Sequence, residues 1–126
     1  MRTEDKASVC GPTSRLIFSC SGAADVGEIS DKTARKLTKD GMGKMFCLAG
    51  IGGRVEPIMA ATKSAEQILA IDGCGLDCVG KCLQQAGVNN FQHLRITDMG
   101  MEKGDSPATD ERLLKVAQKA KELFNS

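Results

Sequence analysis

The chain has 126 residues, 41% apolar and 26% charged, with 17 basic side chains against 16 acidic ones. That length suits one domain, because two halves of this size would each bury too little surface. A net charge of +1 with no long basic run removes the electrostatic case for nucleic acid or an anionic membrane. With 3% aromatic residues and no Trp or Tyr, the chain also has few surfaces for stacking bases, and its core must be aliphatic.

No stretch approaches the ~20 apolar residues that span a bilayer. The polar start, residues 1–14, reads as a loose arm without the apolar core of a signal peptide. Residues 15–126 read as a single domain, and the chain as cytoplasmic. In that compartment structural disulfides are not the default use of cysteine. The six cysteines therefore point to metal, redox chemistry or buried packing. Cys10 falls in the arm and is expected to be an exposed, incidental thiol.

Residues 15–20, Arg-Leu-Ile-Phe-Ser-Cys, form a short apolar run stopped by Ser21-Gly22, which predicts a buried strand. Residues 25–40 predict a helix. Val26, Ile29, Thr33 and Leu37 recur at three- and four-residue spacing, acidic residues lie at the start, and Gly41 provides the stop. Residues 44–48 predict a second strand running into the glycine-rich loop 49–53. Pro57 suits the first turn of a helix carrying Ile58 to Ala61. Residues 68–71 predict the third strand, 76–86 a helix closed by Gly87, and 91–97 the fourth strand. A last helix opens at Thr109-Asp110-Glu111, with Leu113, Ala117, Ala120 and Phe124 as its apolar stripe.

Strand and helix alternate four times. Such alternation means an α/β three-layer sandwich, with helices on both faces of a mostly parallel sheet and right-handed crossovers. The flavodoxin/Rossmann-like order 2-1-3-4 is the favoured arrangement.

Three predicted strands deliver a cysteine at or near the carboxyl end: Cys20, Cys47 and Cys74. Parallel strands end on one edge, and open α/β sheets bind ligands there, at the switch point between strands one and three. Cys78 and Cys82 extend the series at four-residue steps. On a helix, residues i and i+4 share a face roughly 6 Å apart, and two sulfurs on one zinc lie roughly 3.8 Å apart. Cys74 and Cys78 can meet that geometry. Cys82 lies about 12 Å from Cys74 along a straight helix and is assigned to the core. Cys78 falls in the first turn of its helix, where unpaired N–H groups favour an anionic ligand. The glycines beside Cys20, Cys47 and Cys74 let further backbone N–H groups approach sulfur.

The run Ile71-Asp72-Gly73-Cys74 followed by Cys78, with Cys20-Ser21-Gly22 upstream and Cys47-Leu48-Ala49-Gly50-Ile51-Gly52-Gly53 between, resembles the DGC-domain family. The later Thr97-Asp98-Met99-Gly100-Met101-Glu102-Lys103 is similar to that family's closing segment. The resemblance spans residues 16–103. Members are described as zinc-binding on the strength of four cysteines, so it implies Cys20, Cys47, Cys74 and Cys78 as metal ligands. It does not supply a reaction.

Other features carry less. The loop 50–53 lacks the Lys-Ser/Thr of a phosphate-binding loop and reads as a tight turn near the metal. Cys20 has no nearby downstream arginine for phosphatase chemistry. Asp72 reads as a cap for the third helix, with general base or fifth ligand as the alternative. His93, the single histidine, reads as a satisfied or exposed strand residue. Asp98, Glu102 and Lys103 reach the carboxyl edge.

The leading expectation is a zinc-binding domain with Cys20, Cys47, Cys74 and Cys78 as ligands. A metal-free thiol redox enzyme or carrier using Cys74, Cys78 and Cys20 is the first alternative. An iron–sulfur protein on the same thiolates is the second.

Overall fold

The computed structural model describes residues 14–125. Cys10 and nearly all of the predicted arm lie outside the described residues. Four strands, β1 (Arg15–Ser19), β2 (Lys44–Met45), β3 (Gln67–Asp72) and β4 (Gln92–Arg95), form one sheet of order β2-β1-β3-β4. Every pairing is parallel, with Leu16 opposite Lys44 and Ile68, and Leu69 opposite Gln92. The expected order and strand direction are therefore those of the molecule. Five α-helices join the strands: α1 (Asp25–Lys39), α2 (Leu48–Gly52), α3 (Glu56–Ser64), α4 (Cys78–Gln85) and α5 (Asp110–Phe124).

The two central strands are apolar on both faces, as a sheet covered on both sides requires. Ile17, Leu69 and Ile71 point to one side and pack with Val26, Ile29 and Leu37 of α1 and with Val116, Ala120 and Phe124 of α5. Leu16, Phe18, Ile68 and Ala70 point to the other and pack with Ile51 of α2 and with Val79 and Leu83 of α4. The period-two alternation thus builds two cores, one under each helical layer. Among the described residues no helix is long and apolar enough to cross a membrane.

Four segments differ from the sequence expectation. The second strand stops at Met45 rather than at residue 48. Cys47 instead caps a helix: its backbone is extended and its sulfur accepts the Gly50 N–H at 3.3 Å. The expected glycine-rich loop is accordingly the short helix α2. Gly50 is required there, since a β-carbon would come within 2.8 Å of the Ile58 side chain. The fourth strand ends at Arg95 and passes into a 3-10 turn, Ile96–Met99. The third expected helix starts at Cys78, not at residue 76, because Asp77 adopts a left-handed conformation with φ 53°.

The last helix opens as its sequence suggests. Thr109 Oγ1 accepts the Arg112 N–H at 3.3 Å. Thr109→Ala is expected to cost about 1 kcal/mol, read as a lower urea midpoint with an unchanged slope.

Candidate thiolate site

The carboxyl edge of the sheet is assembled from close backbone approaches. A β-carbon on Gly27, in the first turn of α1, would lie 2.7 Å from the Gly22 carbonyl oxygen. One on Gly73 would lie 3.0 Å from the backbone of Val26. The turn after β1, the start of α1 and the turn after β3 therefore touch main chain to main chain. The Cys20 N–H also donates to the Ile71 carbonyl at 2.9 Å, extending the β1–β3 ladder by one step. This packing brings the Cys20 and Cys74 turns to the switch point, where the topology predicts them.

Cys47 and Cys78 reach the same edge on two neighbouring helices. A β-carbon on Gly52 would lie 3.6 Å from Cys82 Sγ, and Arg54 donates to the Gln85 carbonyl at 3.0 Å. Positions 52 and 54 thus match 82 and 85 in the same sense. Helix α2 packs against α4, and Cys47 and Cys78 stand at the starts of these two helices, which follow the parallel strands β2 and β3. Both cysteines are exposed, whereas Cys20, Cys74 and Cys82 are half-buried, and all five are free thiols.

The sulfurs approach that edge from two sides. Cys20 and Cys82 pack against the core under α2 and α4. Cys74 packs against the core under α1 and α5. Burial pushes the Cys82 thiol up, with Arg54 opposing, in keeping with its assignment to packing. Among the described residues, no three cysteine sulfurs all lie within 4.8 Å of one another. Tetrahedral ligation of Cys20, Cys47, Cys74 and Cys78 therefore requires side-chain rotation. The exposed Cys47 and Cys78 are the thiols with room to turn.

The group that does meet that spacing is Asp72, Asp77 and His93. Its donor atoms are already engaged. Asp72, 1% exposed, accepts the Val79 and Gly80 N–H groups at 2.7 and 3.1 Å, and its Oδ2 lies 2.7 Å from His93 Nε2. It is the cap of the third expected helix, acting from the strand end rather than from the capping position. His93 is accordingly a satisfied residue. Asp77 is clamped by Arg95 through both carboxylate oxygens, at 2.8 and 2.6 Å, and Arg95 also reaches Asp98 at 3.0 Å. The guanidinium beside Asp77 holds its carboxyl below the usual range. A guanidinium bound to one ligand opposes a cation at the same place. The arrangement serves to fix the 73–77 turn that carries Cys74 into Cys78.

Sequence reasoning missed the Asp77–Arg95 clamp, since eighteen positions separate the partners and nothing in either neighbourhood pairs them. It also missed Asp25 as a tie. That carboxylate accepts the Gly104 and Ser106 N–H groups at 2.9 and 2.8 Å. These two bonds, Gly104 first, hold its carboxyl below the usual range. Lys103, placed only loosely at the edge by its sequence position, comes within 3.7 Å of Cys74 Sγ.

Fold and edge together define an all-parallel α/β sandwich that carries the Cys20 and Cys74 turns at its carboxyl edge. The family model of the DGC domain matches residues 16–120, and the chain belongs to that family. It is 35% identical over 88 residues to the anaerobic and virulence modulator AnvM of Pseudomonas aeruginosa, an alignment covering 70% of this chain and 67% of that protein. No solved structure matches.

Proposed function

We propose that this DGC domain is a regulatory module that holds one zinc ion on Cys20, Cys47, Cys74 and Cys78. What supports the reading is that Cys47 and Cys78 stand at the starts of two helices in contact, α2 and α4, while Cys20 and Cys74 follow the neighbouring parallel strands β1 and β3. Soft thiolate donors select zinc over hard cations. Four thiolates around one ion leave a double negative charge, and N–H groups at the α2 start offset part of it, those of Val79 and Gly80 at the α4 start being taken by Asp72. The Cys47 sulfur already accepts one such group, from Gly50. A closed four-sulfur set has no open position, which favours a structural or regulatory role over Lewis-acid chemistry. The name of the related modulator agrees with a regulatory role. Bound zinc would tie four separate segments together: the β1 end, the α2 start, the β3 turn and the α4 start.

The test is metal analysis of anaerobically purified protein together with counting of reactive thiols. About one zinc per chain with four protected thiols is expected. The reading fails if Cys74→Ser and Cys78→Ser both leave metal content unchanged. Absence of metal with a readily formed Cys74–Cys78 disulfide would replace it by thiol redox chemistry. Iron with visible absorption would replace it by an iron–sulfur centre.

A further inference from the structure

Residues 100–109, between the 3-10 turn and α5, form neither helix nor strand and cross the carboxyl edge of the sheet as a strap. Both ends of the strap are fixed. At the near end the Thr97 N–H donates to the Gly73 carbonyl at 3.2 Å, and Met101 is buried in the core under α1 and α5. At the far end the Arg112 guanidinium donates to the Pro107 carbonyl at 3.0 Å. The tip between them, residues 102–106, is braced on itself. The Asp105 N–H and the Ser106 hydroxyl both donate to the Glu102 carbonyl, at 3.0 and 2.8 Å. Gly100 and Gly104 have φ +81° and +91°, where glycine bends the chain at least cost. Among the described residues, one side chain holds the backbone of this tip to the body: Asp25, at the start of α1, accepts the Gly104 and Ser106 N–H groups at 2.9 and 2.8 Å.

The strap lies against the Cys74 turn. Gly73, one residue before Cys74, accepts the Thr97 bond, and Cys74 packs against the core cluster that includes Val26 and Met101. From the tip, the Lys103 side chain reaches to within 3.7 Å of the Cys74 sulfur. Cys74 is half-buried, whereas Cys47 and Cys78 are exposed. A braced tip that bends at glycines and hangs on one carboxylate can open as a unit at less cost than the core, and loops at the binding edge of a fold commonly gate what enters. We propose that residues 102–106 are a latched lid over the Cys74 turn, with Asp25 as the latch, and that the lid limits by size what reaches the Cys74 thiol. The inference concerns the metal-free fold and stands apart from the zinc reading.

The experiment uses the full chain after chelator treatment and the variants Asp25→Ala, Gly104→Ala and Glu28→Ala. Cys74 is alkylated with N-methylmaleimide and, separately, with a maleimide on a branched polyethylene glycol, and each rate is read by peptide mass spectrometry. The same thiol meets the same reactive ring in both reagents, so the bulky-to-small rate ratio cancels thiol ionisation and reports access. Exposed Cys47 is the internal reference. Hydrogen exchange at Gly104 and Ser106 reports the latch itself, since the Ser106 residue is 2% exposed. In the parent, the ratio at Cys74 is expected to lie well below that at Cys47. Asp25→Ala is expected to raise the Cys74 ratio about 10-fold, for the loss of two bonds to a charged acceptor, and to speed exchange at Gly104 and Ser106. Gly104→Ala strains the tip at φ +91° while its methyl meets open space, so it is expected to raise the ratio without touching α1. Glu28→Ala removes the other acid of the first turn of α1 and is expected to match the parent.

The inference is overturned if the parent's Cys74 ratio already equals that of Cys47. It is also overturned if Asp25→Ala frees the Gly104 and Ser106 amides yet leaves the Cys74 ratio where it was. Should Asp25→Ala loosen the whole of α1, Gly104→Ala decides: a raised ratio with α1 still protected supports the lid, and the parent's ratio removes it. A chain that takes up no zinc but shows the expected ratios loses the metal reading and keeps the lid.

Discussion

Asp72→Ala is expected to lower stability by about 3 kcal/mol, equivalent to a fall in melting temperature of about 10–15 °C for a domain of this size. The carboxylate is 1% exposed and accepts the N–H groups of Val79 and Gly80, which are themselves buried. Alanine would leave both donors without a partner, and an unsatisfied buried donor costs about 1–3 kcal/mol. His93 also loses its contact but is exposed to water, so its share is smaller. Asp72→Asn is expected to fall between parent and alanine, because its amide oxygen keeps an acceptor for one N–H while its NH2 faces a donor. The effect should be local before it is global. Hydrogen exchange at Val79 and Gly80 should rise first, as the start of α4 frays. Under the proposed zinc reading, metal affinity should weaken with it, because Cys78 is the first residue of that helix. An Asp72→Ala protein with the parent's melting curve would show that the cap contributes nothing.

Gly27→Ala is expected to destabilise by about 1–3 kcal/mol, against the helix-propensity expectation. Within a helix, alanine is better than glycine by about 1 kcal/mol. The new methyl would, however, sit 2.7 Å from the Gly22 carbonyl oxygen and 3.1 Å from the Gly22 carbonyl carbon and nitrogen. Those are backbone atoms with no rotamer to change, so the turn that follows Cys20 must move. Reactivity at Cys20 is expected to change with it. Gly80→Ala, inside α4, is the control. Its β-carbon would meet the Asp72 carboxylate and the His93 ring at 3.6 Å, an ordinary contact distance, so a neutral or slightly stabilising result is expected. Paired melting curves decide the matter: a stabilised Gly27→Ala would mean that the α1 start does not press on the Cys20 turn.

Much of this architecture is legible in the chain. The runs Leu16-Ile17-Phe18 and Ile68-Leu69-Ala70-Ile71 are apolar at every position, which only a sheet covered on both faces needs. Strand–helix alternation then points to parallel pairing and right-handed crossovers; the order 2-1-3-4 is the favoured choice among those it allows, and it is the one observed. The placement of Cys20 and Cys74 beyond the ends of β1 and β3 follows too, since residue number along a parallel strand fixes which edge it reaches. The family was legible for the same reason: its Asp-Gly-Cys run and flanking cysteines are short local patterns.

Other features depended on contacts between distant segments. Cys47 looked like a strand residue because Met45, Phe46 and Leu48 are apolar, yet its backbone turns there and its sulfur caps α2. Local hydrophobicity cannot separate a strand end from the entry to a one-turn helix. The start of α4 at Cys78 is set by Asp77, whose left-handed backbone accompanies the clamp from Arg95 on the adjacent strand β4.

Composition and periodicity alone thus point to the parallel sandwich and to the edge that the Cys20 and Cys74 turns reach, because strand direction and burial obey local, repeating rules. Tertiary packing alone decides how the thiols face that edge: two pack against one core, Cys74 packs against the other, and Lys103 is brought to Cys74 by a strap tied to Asp25. Those contacts join residues 29 and 79 positions apart, and pairings at such separation arise only when the folded main chain brings them within reach.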